Sequence, residues 1–382
     1  MQQQSVLVGI SGGVDSAVSA WLLQQQGYRV KGVFMRNWDD DGGAYCTAQQ
    51  DFLDACKAAE HLGIELTTAN FTTQYKEQVF AACLAMFKRG LTPNPDVWCN
   101  SYIKFGAFLD YAVDKADFIA TGHYARLHRD ANGIMHLLRA VDNAKDQSYF
   151  LHQLSQRQLA RSLFPLGTWR KADVRHQAQA LGLANHNRPD STGICFIGER
   201  PFTSFLREYL PEQPGEMVDS QGKILGQHNG LAFYTLGQRK GLGIGGSKDG
   251  SDKPWYVAGK DIEHNRLVVV QGDDHPFLYH SEALVEQMHW IGGNTAVQTF
   301  VEKKLFATIR YRQLPQACSI SLEQVGNADA LRVRFREPQK AVTPGQFAVF
   351  YLGEECLGGG ILGLAPGFYG LQPMHPTLSN GF

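Results

Sequence analysis

Val6-Leu7-Val8-Gly9-Ile10-Ser11-Gly12-Gly13-Val14-Asp15-Ser16 decides the fold. An apolar run, a double-glycine turn and the start of the amphipathic run 17–23 read as a strand, a tight turn and a helix N-terminus, in that order. Adjacent glycines let backbone N–H groups converge, and Ser11 and Ser16 add hydroxyl donors. The helix start contributes unpaired N–H groups and the positive end of its dipole. The stretch is an anion site, with phosphate the obvious guest. It lacks the Gly-Lys-Ser/Thr ending of a Walker A loop and the spaced glycines of a dinucleotide fingerprint, which excludes a GTPase and a dehydrogenase.

Outward from this loop, strand-like runs at 5–10, 29–36, 65–71 and 118–123 alternate with helical patterns such as 46–62, 73–88 and 170–183. That alternation predicts an α/β fold, a doubly wound parallel-sheet domain over residues 1–200, and the loop resembles the pyrophosphatase loop of nucleotide-binding domains. In such a sheet ligands sit beyond the carboxyl ends of the strands, where the loop, Met35-Arg36-Asn37 and Thr121-Gly122-His123 converge. A small central β-rich domain is expected over 201–280. It contains Gly237-Gln238-Arg239-Lys240-Gly241-Leu242-Gly243-Ile244-Gly245-Gly246, which reads as a mobile loop and not as a nucleotide site. Closely spaced β-patterns over 281–382, at 305–312, 318–324, 331–336, 347–352 and 359–364, predict a C-terminal β-barrel.

Composition bounds the rest. With 382 residues, 43% hydrophobic and 19% charged, the chain has the make-up of a soluble multidomain protein. The first residues carry no secretory signal and no apolar run approaches a membrane span, so a cytoplasmic protein with no membrane partner is expected. Seven cysteines without a C-x-x-C pair argue against a disulfide framework and a ribbon-type zinc site. Cys99, after a Pro-rich loop and before a helical run, and Cys195, in a turn-rich segment, read as candidate reactive thiols, with Cys46 a weaker third. Net charge is −1, yet residues 301–340 hold eight Lys/Arg against four Asp/Glu, and Arg332, Arg334 and Arg336 alternate onto one strand face. Such a patch suits an RNA backbone.

The loop itself resembles the SGGxDS loop of enzymes that split ATP into AMP and pyrophosphate. The series GISGGVDS, PNPDxxCN, ATGHYAR, KDQSYFL, DSTGICFIGER, YTLGQRKGLGIGG, RYRQ, VTPGQ and CLGGGI, in this order along nearly the whole chain, resembles the bacterial tRNA-specific 2-thiouridylases. The resemblance implies ATP-dependent replacement of the C2 oxygen of a tRNA wobble uridine by sulfur, with ATP and Mg²⁺ as cofactors and tRNA and a sulfur-relay donor protein as partners. It implies that Gly9, Ile10, Ser11, Gly12, Gly13, Val14, Asp15 and Ser16 hold the ATP phosphates, Asp15 helping to organise Mg²⁺, while Met35 and Gly122 frame the adenosine. Cys195 would carry the sulfur as a persulfide and Cys99 would attack it. Asn94, Pro95 and Asp96 would surround the flipped base, and His123, Lys145, Asp146, Gln147, Arg310, Tyr311 and Gln346 would contact the tRNA. Other readings of the same residues remain: a small-molecule adenylating enzyme of the same loop class, a non-catalytic nucleotide- or tRNA-binding module, and an iron–sulfur cluster on Asp96, Cys99 and Cys195.

Overall fold

Alternating apolar residues of the first strand split between two cores, and this sets the layers of the nucleotide domain. Val6, Val8 and Ile10 pack against Ala20, Leu23, Ala55 and Ala59 on one face, while Leu7, Val33 and Ile119 pack against Phe105 and Phe108 on the other. The computed structural model describes residues 3–38, 48–190, 202–245, 253–293, 297–301, 303–326 and 328–363. The strands in chain order begin with β1 (Ser5–Gly9), β2 (Arg29–Arg36), β3 (Leu66–Asn70), β4 (Phe118–Ala120), β5 (Ala125–Arg129), β6 (Met135–Arg139) and β7 (Ser162–Leu163). The order β3-β2-β1-β4-β7, parallel throughout, puts the switch point beside β1, so the exits of β1, β2 and β4 face one crevice. Helices α1 (Val14–Gln25) and α2 (Ala48–Leu62) cover one face. This is the doubly wound sheet read from the sequence.

The central unit is a four-stranded sheet of β8 (Gly215–Val218), β9 (Ile224–His228), β10 (Trp255–Asp261) and β11 (Arg266–Gln271), in the order β10-β11-β8-β9. It is joined to the first domain by an apolar cluster of Cys83, Phe87, Leu206, Leu210 and Phe233, and by a polar contact. Lys260, 4% exposed, donates from Nζ to the Gly90 carbonyl at 2.9 Å, and Ile262 lies against Gly90, whose φ of +75° admits no larger residue cheaply.

Six strands close the barrel: β12 (Tyr279–Trp290), β13 (Leu305–Thr308), β14 (Gln316–Val325), β15 (Ala328–Lys340), β16 (Phe347–Leu352) and β17 (Glu355–Leu362). They run in the order β12-β15-β14-β13-β16-β17, and β12 pairs back onto β17. Val285, Leu305, Ile320, Val333 and Phe350 fill the interior. The barrel shares hydrogen bonds with the first domain, because β17 also pairs with β6 at Glu355–Leu138 and Cys356–Leu137. The sequence reading foresaw neither the β5–β6 hairpin nor the long β12. It also carried β13 through Arg310 and Tyr311, whereas the strand stops at Thr308. There the Ile309 N–H turns to the Gln313 side chain, and Arg312 takes a φ of +64°. Among the described residues no helix is long and apolar enough to cross a membrane.

Burial lowers the Lys260 ammonium from the ordinary 10.5 to about 7. Between those values the unfolded chain binds a proton that the folded chain does not, so stability rises as pH climbs through the window and levels off below about 7. Lys260→Met is expected to flatten that rise, as read from urea unfolding of both proteins at about pH 7 and about pH 10.

Candidate active site

Three close approaches, two of them to backbone, shape the loop after β1. Gly12 has φ +78°, and a Cβ there would collide with the Asp51 carbonyl of α2. A Cβ on Gly122, just past β4, would lie 2.9 Å from the Asp15 carbonyl carbon and the Ser16 nitrogen. A Cβ on Gly9 would lie 2.8 Å from the Met35 methyl. The loop, Met35 and Gly122 therefore meet, as the sequence reading expects of a nucleotide crevice. Within the turn, Ser16 Oγ accepts from the Ser11 N–H at 3.2 Å and donates to the Gly13 carbonyl at 3.0 Å. No side chain caps α1, whose N-terminus opens onto the loop. Asn185 Nδ2 holds the Gly12 carbonyl at 2.8 Å.

Beneath the loop lies a charge cluster that the sequence reading missed. Lys171 begins helix α3 (Lys171–Ala180), and its Nζ contacts both Asp15 oxygens at 2.7 Å and Asp190 Oδ1 at 2.8 Å. Tyr124 donates its hydroxyl to Asp15 at 2.8 Å; burial and the Asp15 carboxylate push that phenol far above its ordinary range. Asp190 also receives Lys145 and, at 2.9 Å, Arg175. Burial raises the Asp190 carboxyl, but hydrogen bonds from Lys145 and Lys171 outweigh it and hold the group well below the usual range. A lysine opening a helix opposes the helix dipole, and that was the one local signal available.

The Pro-rich motif forms a second wall. Pro95 preorganises a helix start, so the helix begins at Pro95–Trp98 and runs on into a π-helical stretch, Cys99–Ala107. Cys99 thus sits one turn inside a continuous helix, fully buried, and not at the helix N-terminus that the sequence suggested. The barrel turn at 343–346 docks on this wall. Gln346 Nε2 donates to the Thr92 and Pro93 carbonyls at 2.8 and 3.3 Å, Asn94 Nδ2 donates to Gln346 Oε1 at 3.3 Å, and the Thr92 N–H reaches the Pro344 carbonyl at 2.9 Å. A cleft of about 300 Å³ opens here, lined by Asn94, Pro95, Asp96, Thr203, Phe233 and Gln346, so all three units contribute.

The remaining expected contact residues face inward more than outward. His123 is buried, its Nδ1 2.7 Å from Thr121 Oγ1; burial first and Lys104 second depress its pKa well below the ordinary value, so the ring is neutral. Asp146 accepts from Arg139 Nε at 2.9 Å, the Ala140 N–H at 3.0 Å and Ser148 Oγ at 3.0 Å. Gln147 Oε1 accepts from the Tyr124 N–H at 2.9 Å. Gln147, through Tyr124, and Lys145, through Asp190, brace the Asp15 cluster. Tyr311 packs on Phe150 at a ring distance of 4.4 Å, beside the exposed Arg310. The alternating arginines are largely consumed within the barrel: Arg332 pairs with Glu282 and Glu323 at 2.6 Å, and Arg334 with Glu282 at 2.8 Å, which leaves Arg336 exposed. Burial, with Asp96 second, pushes the Cys83 thiol up to about 12, consistent with a packing role. Cys46 and Cys195 lie outside the described residues. Among the described residues no three His, Cys, Asp or Glu side chains gather to hold a metal ion.

Three family models match in succession: a tRNA methyl transferase HUP domain over residues 4–199, a tRNA methyl transferase PRC-barrel domain over 203–271, and an aminomethyltransferase beta-barrel domain over 280–362. Among curated relatives, the tRNA-specific 2-thiouridylase MnmA of Cupriavidus metallidurans is 54% identical over 364 residues, covering 95% of this chain and 100% of that protein. Its namesake in Pseudomonas paraeruginosa is 53% identical over 363 residues, 94% of this chain and 95% of that one. Among solved structures, the U34-tRNA thiolase NcsA from Methanococcus maripaludis aligns at 21% identity over 55% of this chain and 67% of its own, with a TM-score of 0.33, too loose a likeness to carry an argument.

Gln346→Ala removes the partner of two carbonyls and one amide on the cleft wall. The expected cost is about 1–2 kcal/mol in urea unfolding, with faster amide hydrogen exchange confined to residues 92–96 in mass spectrometry.

Proposed function

The chain belongs to the tRNA-specific 2-thiouridylase family, and we propose that it activates the C2 oxygen of the tRNA wobble uridine with ATP and replaces it with sulfur from a Cys195 persulfide. The family makes it a tRNA-modifying enzyme, a tRNA-uridine 2-sulfurtransferase. The domain descriptions speak of methyl transfer and the full-length relatives of thiolation; identity over 95% of the chain gives the second the greater weight.

The observation that carries the reading is that the crevice of loop, Met35 and Gly122 belongs to the same domain as the 92–96 wall, with Cys99 in the helix that starts from that wall. In this reading the loop amides and the α1 N-terminus receive the ATP phosphates. Asp15 offers hard carboxylate oxygens of the kind Mg²⁺ takes, and the ion when bound would neutralise pyrophosphate as it leaves. Attack of the uridine O2 on the α-phosphate makes an adenylate and releases pyrophosphate. Asn94, Pro95 and Asp96 form the cleft that would hold the base out of its stack. Cys99 attacks the Cys195 persulfide; its outer sulfur leaves as hydrosulfide and the two cysteines are left joined as a disulfide. Hydrosulfide displaces AMP at C2, and a thiol reductant reopens the disulfide. The persulfide is supplied by a sulfur-relay donor protein in the cytoplasm. Arg310, Tyr311 and the turn around Lys145 border the tRNA path.

Cys99→Ser and Cys195→Ser are each expected to abolish thiolation while leaving tRNA affinity within a few fold. The check is a mercury-containing gel of tRNA transcript incubated with ATP, Mg²⁺ and a persulfide donor, alongside filter binding. A retarded band formed by either variant would sink the relay.

A further inference from the structure

Lys171 stands out among the groups that the reading above leaves without a role. Its side chain is 10% exposed, and an ammonium has three hydrogens to give. Two contacts go to Asp15 in the phosphate loop and one to Asp190. Asp15 Oδ1 accepts from both Tyr124 and Lys171, while Oδ2 accepts from Lys171 and keeps one lone pair open. A divalent cation on that oxygen would share the carboxylate with the ammonium, and repulsion between the two cations favours the ammonium's departure. Asp190 is different, since Lys145 and Arg175 also pair with it, and it stays compensated if Lys171 turns away. Lys171 Nζ is thus the cation paired with Asp15 and one of three cations paired with Asp190. Its backbone opens α3, and a helix N-terminus favours an anion over a cation.

We propose that Lys171 is the exchangeable counter-ion of the phosphate loop: it neutralises Asp15 before substrate arrives, yields that carboxylate to Mg²⁺, and turns its ammonium onto the nucleotide phosphates. This rests on the reading of the loop as an ATP site. No bond is made or broken in the exchange, and charge balances because the Mg²⁺-bound nucleotide brings both the cation that Asp15 takes and the anion that Lys171 takes.

The test measures binding of α,β-methylene ATP to the full-length protein by calorimetry, from metal-free buffer up to millimolar Mg²⁺, with a thermal unfolding curve for each variant. Lys171→Met frees Asp15 and removes a phosphate partner. Its Mg²⁺ requirement for half-saturation is expected to fall about tenfold while metal-free nucleotide affinity also falls about tenfold. Lys171→Arg keeps the charge but grips the carboxylate with two parallel N–H bonds, so its Mg²⁺ requirement should rise with metal-free affinity held. A strut that merely joins the loop to α3 would lower the melting temperature and leave the Mg²⁺ requirement where it was, and that result overturns the proposal. If Lys171→Met does not fold, the arginine variant decides alone, an unmoved Mg²⁺ requirement being fatal. Failure of the wild type to bind the analogue at any Mg²⁺ concentration would instead remove the ATP reading, and the exchange with it.

Discussion

The docking of one glycine turn on one proline-rich wall holds this molecule's site together. Gly345, at φ +93°, lies so close to Thr92 that a Cβ would sit 2.8 Å from its nitrogen, and only that approach lets Gln346 reach two carbonyls of the wall. A side chain at 345 would have to lift the barrel from the first domain. The β17–β6 pairing adds a second attachment through backbone hydrogen bonds, and Tyr149 in the first domain donates to the Phe347 carbonyl of the barrel at 3.2 Å. The central unit, held near by Lys260 on Gly90, supplies Thr203 and Phe233 to the same cleft. None of the units forms that cleft alone, and its shape is a property of their assembly.

The electrostatics of the loop follow a different economy. Two carboxylates and three cations are gathered at Asp15, Asp190, Lys145, Lys171 and Arg175, partly out of water, where desolvation offsets much of what pairing returns. An apolar cluster of the same volume would hold the fold as well or better. Burying charge at this position makes sense where the charges must be present for a ligand that is itself strongly charged. The acids and bases then neutralise one another while the site waits. Tyr124 belongs to the same logic: its phenol is held protonated, so it can only donate to Asp15.

The sequence made the first domain legible where local chemistry is decisive. Arg29–Arg36 reads as a strand because its apolar residues leave no other use for it, and Gly12 and Gly13 announce the turn. Helix starts were harder, since Pro95 begins the helix four residues before Cys99 and the apolar pattern becomes visible only later. Contacts set by register between distant segments left no local mark. Lys171 meets Asp15 across 156 positions, and β6 meets β17 across more than 200, which no periodicity encodes. The arginine alternation on β15 was read correctly as one face, but Glu282 lies on β12, a strand that the reading did not anticipate. The face therefore looked free when two of its three charges were already paired. Cys195 was legible as a candidate thiol from its turn-rich segment, and its persulfide role only by resemblance to the family.

This pairing bears on how RNA would be held. A net charge of −1 gives no long-range attraction to a polyanion, and with Arg332 and Arg334 engaged the barrel has less free charge than its composition suggests. On the barrel, Arg310, Arg336, Lys303 and Lys304 remain exposed. If the barrel alone supplied the phosphate contacts, their small number would give a shallow salt dependence and weak non-specific binding. In the proposed reading, discrimination would then fall to how a splayed base fits the cleft at residues 92–96. The protein would spend its order on the pocket and little on the approach, and the neutral total charge is the sequence-level sign of that choice.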